Sequence, residues 1–138
     1  MKNFLAMYQR LSIDNLHLLA EVYREDVQFI DPAHEITGLT DLTRYFAALY
    51  KNVESIEFSF DHLLENDSEG YVQWIMTFSH KKLSGGRPVS VNGTTFLQFD
   101  NEGKVYYHRD YFDLGAMLYE QLPLLGRLVK SIKQGLGK

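Results

Sequence analysis

The sequence contains no cysteine, three prolines, and no apolar run long enough to cross a membrane. Without cysteine the chain can form neither disulfide bonds nor a catalytic thiolate, and it suits a reducing compartment. A membrane-spanning helix needs roughly 20 consecutive apolar residues, and no stretch approaches that length. The first residues, Met1, Lys2, Asn3 and Phe4, lack the apolar run of a signal peptide. These absences predict a soluble, cytoplasmic protein.

Motifs for metals, cofactors and nucleotides are absent as well. The sequence has no His-Glu-x-x-His pair, Walker loop, dinucleotide glycine motif or Gly-x-Ser-x-Gly elbow. The histidines show no tight ligand spacing: they are His17, His34, His62, His80 and His108. We therefore predict no metal and no cofactor. A net charge of −4 argues against a general nucleic-acid binder, so no nucleic-acid partner is expected.

The residues that are present predict one globular domain over residues 1–138. Hydrophobic residues make up 45% of the chain, with nine phenylalanines and nine tyrosines, which is enough for a core. Apolar residues at helical spacing predict a first helix over residues 4–11. A second helix, capped by Asp14, should extend to Tyr23, and a third should begin at Thr40. Between the second and third helices, Val27 to Ile30 predicts a short strand that ends at Asp31-Pro32.

From Ile56 onward the apolar period changes to two, which predicts β-strands. Strands are expected over residues 56–64, 71–82 and 89–99, and a tight turn at 100–103 leads into a fourth. Helical spacing returns over 114–122 and 124–134, so residues 114–138 form a C-terminal helical extension. This order predicts an α+β fold, in which a bent antiparallel sheet packs on three N-terminal helices and encloses a cone-shaped cavity.

The last predicted strand mixes aromatic and ionisable side chains on both faces. Alternation places Tyr106, His108, Asp110 and Phe112 on one face. Asp110 is a candidate acid or base inside a pocket, and a buried ion pair or hydrogen bond is an equal alternative. His108 could orient or protonate a ligand. Asp113 is expected to cap the following helix.

Six other residues carry open alternatives. Asp31 could abstract a proton next to a carbonyl, or it could simply end its strand and accept backbone hydrogen bonds. His34 could reach the cavity mouth, although a solvated loop histidine is commoner. Tyr8 could donate to an oxyanion or serve as an ordinary core residue. Trp74, Met76 and Phe78 alternate onto one face, as pocket wall or, more often, as core or dimer packing.

Several segments of the sequence, taken in order, resemble the SnoaL-like branch of the nuclear transport factor 2 superfamily. The resembling segments are residues 23–32, Gly38, 74–78, 92–94, 99–104 and 109–113. The resemblance implies a cone-shaped α+β barrel that is often dimeric through its sheet. It does not fix an activity, because members include isomerases, cyclases, hydrolases and non-enzymatic binders.

Two enzyme relatives suggest roles for particular residues. The resemblance to ketosteroid isomerases implies Asp31 as general base and Tyr8 as oxyanion donor, with Thr95 in place of the second donor. Limonene epoxide hydrolases match residues 109–113, which makes Asp110 the counterpart of one catalytic carboxylate. Their remaining arginine and aspartate should fall within residues 74–78, which contain neither, so epoxide hydrolysis by the same triad is not expected.

The sequence and the resemblance together predict a protein that binds an apolar, oxygen-bearing small molecule. They leave open whether it is an enzyme; if it is catalytic, cofactor-free isomerisation by acid/base chemistry is the leading activity. Asp31 or Asp110 would be the base, Tyr8 a donor and His108 an orienter. The predicted ligand-binding residues are Trp74, Met76, Phe78, Thr95, Phe112 and His34. The alternatives are a non-catalytic carrier or sensor for a lipid-like ligand, and a dimeric interaction module.

Two contacts with other molecules are expected from the sequence and the resemblance. A homodimer is the expected assembly. The C-terminal helix is apolar with basic charges alone, so it could touch an anionic membrane weakly or close over an acyl chain. Packing across the cone mouth or against a dimer partner is the commoner fate of such a helix. Its cations are Arg127, Lys130, Lys133 and Lys138.

Overall fold

The computed structural model describes residues 1–137, which begin with short helices. Helix α1 (Lys2–Arg10) buries Phe4 and Tyr8, as its apolar spacing predicts, and it also buries Met7. A 3-10 segment (Ile13–Leu18) and the short helix α2 (Leu19–Val22) follow. Helix α3 spans Leu39–Asn52. These elements occupy the predicted positions, but their boundaries differ.

Three predicted boundaries of the N-terminal helices are wrong. Ser12, not Asp14, caps the 3-10 segment, because its hydroxyl accepts from the Asp14 N–H while Asn15 bonds back to the Ser12 N–H. Thr40 lies inside α3, whose N-cap is Gly38 with a φ of 93° that favours glycine. Tyr23 belongs to a strand and not to the second helix.

Six strands within residues 1–137 form one sheet in the order β2-β1-β6-β5-β4-β3. They are β1 (Tyr23–Ile30), β2 (Glu35–Thr37), β3 (Ser55–Glu65), β4 (Glu69–Ser79), β5 (Val89–Phe99) and β6 (Val105–Phe112). The meander from β3 to β6 is antiparallel, as predicted. Strand β1 pairs with β6 in parallel, and the short strand β2 was not predicted.

Irregular pairing in β6 decides which of its side chains face the helices. The register shifts near the start of β6 on both sides, against β1 and against β5. As a result Val105 and His108, three residues apart, are both buried. The strand alternation holds for His108, Asp110 and Phe112, which line the inner face. It is wrong for Tyr106, whose ring instead lies 4.7 Å from the Arg24 guanidinium.

The main core joins the N-terminal helices to the concave face of the sheet. Leu19 and Leu42 on the helices pack with Val27 and Leu97 on the strands, and all four are fully buried. A smaller apolar cluster around Phe78 lies towards the C-terminal segment. The predicted α+β class, with a bent sheet packed on N-terminal helices, is confirmed.

The C-terminal segment is helical, as predicted, but it is divided differently. Asp113 caps helix α4 (Leu114–Met117) by accepting from the Ala116 N–H at 3.1 Å, which confirms its capping role. A 3-10 turn (Tyr119–Gln121) and helix α5 (Pro123–Leu136) follow. No helix in residues 1–137 is both long enough and apolar enough to span a membrane.

Candidate functional site

A cavity of about 630 Å³ lies between α1, α3 and the concave face of the sheet. Its wall is mostly aromatic and aliphatic, and it includes Phe4, Phe29, Phe46, Phe58, Leu49 and Ile56. This volume falls in the range of sites for drug-sized molecules. All the residues predicted as site residues line it: Tyr8, Asp31, His34, Trp74, Met76, Phe78, Thr95, His108, Asp110 and Phe112.

One continuous chain of hydrogen bonds crosses the floor of this cavity. The Tyr8 and Tyr23 hydroxyl oxygens are 2.5 Å apart, and the Tyr23 hydroxyl lies 2.8 Å from His108 Nδ1. His108 Nε2 lies 2.7 Å from Asp110 Oδ1. Thr95 donates its hydroxyl proton to the same carboxylate oxygen at 2.6 Å. Residues from α1, β1, β5 and β6 thus form one polar network, which we call the floor chain.

Trp74 extends the floor chain beyond Thr95. The indole Nε1–H donates to Thr95 Oγ1 at 2.7 Å, so Thr95 accepts from Trp74 and donates to Asp110. Trp74 also packs against Gly93, where a Cβ would lie 2.2 Å from the indole ring. Glycine at this position therefore leaves the space in which the indole lies. The network fixes the Thr95 hydroxyl as a donor to the carboxylate and not to the cavity.

Burial keeps both tyrosines of the floor chain neutral. Burial is the main cause that raises the pKa of Tyr8 well above its ordinary value, and the neighbouring Tyr23 and Asp110 raise it further. Burial likewise raises the pKa of Tyr23. Removing a side chain from water disfavours its charged form. The two hydroxyls therefore act as hydrogen-bond donors and acceptors and not as anions.

The direction of the floor chain follows from the protonation of His108. With an ionised Asp110, Nε2 of His108 must carry a proton, since the carboxylate can only accept. In neutral His108, Nδ1 then accepts from Tyr23, and Tyr23 accepts from Tyr8. In the imidazolium form Nδ1 donates to Tyr23, Tyr23 donates to Tyr8, and the Tyr8 O–H is released towards the cavity.

Asp31 has different surroundings at another part of the wall. Its Oδ1 accepts from the N–H groups of Ala33 and His34 at 2.8 and 2.7 Å. His34 Nδ1 lies 3.0 Å from the same oxygen, and the Tyr45 hydroxyl donates to Oδ2 at 3.3 Å. Both oxygens of Asp31 are thus engaged by its own turn and by α3. By contrast, Oδ2 of Asp110 makes no hydrogen bond to residues 1–137, and this side chain is 17% exposed at the cavity.

Sequence reasoning missed two tyrosines that bond to the candidate carboxylates. Tyr23 was assigned to a helix, because its spacing from Leu16 and Leu19 is helical, and its place in the floor chain depends on β1 pairing with β6. Tyr45 lies on the predicted third helix, but no local signal aims it at Asp31. Within residues 1–137 no group of three or more His, Asp or Glu side chains is arranged to hold a metal ion.

Comparisons with solved structures agree with this architecture. A candidate SnoaL-like polyketide cyclase from Shewanella denitrificans is 16% identical, with a TM-score of 0.72 over 84% of this chain and 91% of that one. A protein with a ketosteroid isomerase-like fold from Catenulispora acidiphila, in complex with trimethylamine, is 18% identical. Its TM-score is 0.69 over 79% of this chain and 84% of that one.

A third structure has a similar fold. TerC, co-crystallised with polyporic acid, is 14% identical, with a TM-score of 0.71 over 84% of this chain and 92% of that one. At these identities the structures show a shared fold.

The family itself is shown by the sequence. No curated protein sequence gives a significant match. The SnoaL-like domain family matches residues 4–108, which cover the N-terminal helices and the sheet through His108. The chain therefore belongs to the SnoaL-like domain family.

Proposed function

We propose that this protein binds an apolar, oxygen-bearing small molecule in its cavity and isomerises it by cofactor-free proton transfer, with Asp110 as base. The observation that carries the proposal is the floor chain, a polar network of fixed geometry at the bottom of an otherwise apolar cavity. A few placed polar groups in an apolar pocket are typical of small-molecule sites. The mostly apolar wall lowers the local dielectric constant, which strengthens the polar contacts at the floor.

Asp110 is a better candidate for the base than Asp31. Its Oδ2 faces the cavity without a protein partner, so it can approach a carbon-bound proton. Asp31 would have to give up hydrogen bonds to its own turn or to Tyr45 before it could do the same. Asp31 then has the structural role that the sequence also allowed, which is to accept backbone hydrogen bonds where β1 ends.

The proposed reaction is an enolisation that conserves all atoms and protons. Asp110 Oδ2 takes a proton from the carbon next to a carbonyl, and the C–H electron pair forms the carbon–carbon double bond of the enolate. The carbonyl π electrons move to oxygen, where Tyr8 donates a hydrogen bond. Asp110 then returns the proton to another carbon of the conjugated system, which completes the isomerisation.

Asp110 as base and Tyr8 as donor to the oxyanion can act together only in one protonation state of the floor chain. Tyr8 can donate to the oxyanion when His108 is an imidazolium, because the chain then runs from His108 through Tyr23 to Tyr8. In that arrangement an ionised Asp110 accepts from His108 Nε2 on Oδ1 and keeps Oδ2 for the substrate, so the base and the donor coexist. With neutral His108 the Tyr8 proton points to Tyr23 instead.

The experiment uses 2-tetralone, an apolar bicyclic ketone with acidic protons beside its carbonyl. Exchange of these protons in D₂O is followed by NMR, and binding is followed by the fluorescence of Trp74, the only tryptophan in the sequence. Asp110→Asn should lower the exchange rate by roughly 10²- to 10⁴-fold, the usual contribution of a general base, and leave affinity nearly unchanged. Asp31→Asn is the matched control and should retain exchange.

A second variant separates positioning from structure. Tyr23→Phe removes the hydroxyl that joins His108 to Tyr8, so it should lower the exchange rate while 2-tetralone still binds with nearly unchanged affinity. Binding without exchange in the native protein would refute the isomerase and favour the carrier or sensor. Absence of binding would leave the dimeric interaction module.

A further inference from the structure

Helix α5 presents an unusually apolar surface to solvent. Leu124, Leu128, Ile132 and Leu136 are 81%, 57%, 57% and 84% exposed. They follow one another at intervals of four, so they form a continuous line along one side of the helix. We call this line the apolar stripe. Single exposed leucines are ordinary, but a whole helix face of them indicates a binding surface.

The packing of α5 holds the apolar stripe away from the body of the protein. Gly126 is buried against the backbone of Glu120, where a Cβ would lie 2.5 Å from the carbonyl oxygen. Lys133 reaches Asp113 and Glu120 at 2.9 and 3.1 Å. Gly126 and Lys133 therefore define the docked side of the helix, and the stripe lies on other sides of the helix.

A groove lined by cations borders the same helix. It has a volume of about 390 Å³ and lies between the β4–β5 connection and α5. Four basic side chains line it: Lys82, Arg87, Arg127 and Lys130. Glu120 also lines it, but its carboxylate is paired with Lys133. Arg127 and Lys130 form no ion pair with any residue from 1 to 137. We call this feature the basic groove.

Positive and negative charges are distributed unevenly along the chain. Residues 123–138 contain Arg127, Lys130, Lys133 and Lys138 and no acidic residue. Subtracting these four positive charges from the net −4 of the whole chain leaves −8 on residues 1–122. A negatively charged surface would therefore attract the α5 end and repel the rest of the molecule.

We propose that the apolar stripe is a docking surface for an anionic lipid bilayer, and that the cations of the basic groove attract the bilayer electrostatically. The helix would lie in the plane of the bilayer with the stripe in the interfacial layer. Arg127 and Lys130 line the groove with Gly126 on another side of α5, so they would add longer-range attraction to the anionic headgroups. A 14-residue helix is roughly 21 Å long, which suits an in-plane orientation and is too short to span. A second copy of the chain fits the surface less well, because pairing two such helices would bring cations together.

The position of this surface fits the proposed cavity function, although the inference does not depend on it. Lys82 and Leu122 line both the basic groove and the main cavity. The cavity thus extends to the end of the molecule that would face the bilayer. An apolar ligand dissolved in lipid would then be held close to that end of the cavity.

The test is sedimentation of the full-length protein with extruded vesicles at low and high salt. One vesicle is phosphatidylcholine alone, and the other contains phosphatidylcholine and phosphatidylserine at about three to one. We expect binding to the anionic vesicle, weaker binding at high salt and little binding to phosphatidylcholine. Leu128→Glu with Ile132→Glu should lower the partition coefficient at least tenfold. Leu64→Glu, at a leucine of β3 that is 77% exposed, is the matched control and should bind normally.

Charge-removing variants test the basic groove separately. Arg127→Gln with Lys130→Gln should weaken anionic-vesicle binding about fivefold for each cation removed. Lys2→Gln with Lys51→Gln removes the same charge elsewhere and should have a much smaller effect. Circular dichroism and 2-tetralone affinity should be unchanged in every variant, which separates loss of docking from loss of fold or of cavity binding.

Three results would overturn the inference. The first is failure to bind anionic vesicles at low salt. The second is equal binding to both vesicles. The third is a concentration-dependent dimer, seen by light scattering, that Leu128→Glu with Ile132→Glu dissociates, since the stripe would then be an interface between copies.

Discussion

The hydroxyl of Thr95 joins Trp74 to Asp110 in the floor chain. The variant Thr95→Val should show how much this hydroxyl contributes to the stability of the fold. Valine keeps the shape of threonine and removes the oxygen. In the native protein that oxygen accepts from Trp74 Nε1 at 2.7 Å and donates to Asp110 Oδ1 at 2.6 Å. The change therefore deletes two hydrogen bonds at a buried position without creating a cavity.

The magnitude follows from those two bonds. A hydrogen bond to a charged group contributes about 1.5–3 kcal/mol, and a buried donor left without a partner costs about 1–3 kcal/mol. In the variant, Asp110 still accepts a hydrogen bond from His108 Nε2–H, so the carboxylate loses only one of its two hydrogen bonds. The indole N–H of Trp74 has no other acceptor among residues 1–137. We expect the free energy of unfolding to fall by about 3 kcal/mol.

The assay is urea unfolding followed by circular dichroism, so that the readout does not depend on Trp74 itself. Thr77→Val is the matched control, because Thr77 and Ser90 share a 2.9 Å hydrogen bond on the outer face of the same strand pair. Its loss should be below about 0.5 kcal/mol. Equal stability of the two variants would refute the reasoning, since burial of the bonds would then have no energetic consequence.

Three further predictions concern the packing, the tyrosines and α5. Gly93→Ala should change the emission of Trp74 and weaken 2-tetralone binding, because the added Cβ would lie 2.2 Å from the indole; unchanged emission would contradict it. Lys133→Met should raise the pKa of Asp113 in an NMR titration, because the Lys133 hydrogen bond is the main cause that lowers it; an unchanged pKa would show that this contact is absent in solution. Burial raises the pKa of four tyrosines, so their protonated forms stabilise the fold below about pH 10, and stability is lost above it as the unfolded chain releases their protons. The four are Tyr8, Tyr23, Tyr45 and Tyr50, the last with a pKa of about 12. Ultraviolet absorbance should show none of them ionising in the intact fold near about pH 10, the ordinary pKa of tyrosine, and such ionisation would contradict the reasoning.

Much of the sheet could be predicted because its long strands carry a period of two over many residues. Strands β3, β4 and β5 begin and end within three residues of their predicted positions, and the turns between them are marked by polar residues and glycine. The same alternation correctly placed Asp110 and Phe112 on the cavity face. It failed at Tyr106, because a register shift depends on the two neighbouring strands and leaves no local signal.

The helical boundaries failed for a related reason. Tyr23 has helical spacing from Leu19, but its backbone pairs with Val105, 82 residues later in the sequence. Tertiary pairing of this kind overrides local spacing, and its energy is not encoded near Tyr23. Because Tyr23 joins Tyr8 to His108, the floor chain could not be predicted while Tyr23 was assigned to a helix.

The choice between the two candidate carboxylates depends on where their hydrogen-bond donors come from. Most donors to Asp31 lie within three residues of it, in the turn that follows the end of β1. The donors to Asp110 are Thr95 on a neighbouring strand and His108, which is itself held by Tyr23 from the parallel strand. Local donors satisfy Asp31 on both oxygens with help from α3, whereas the donors to Asp110 converge on one oxygen and leave the other facing the cavity. A carboxylate that is oriented by the fold and still has a free oxygen is suited to accept a proton from a ligand, and this property can be recognised only once the strands are paired.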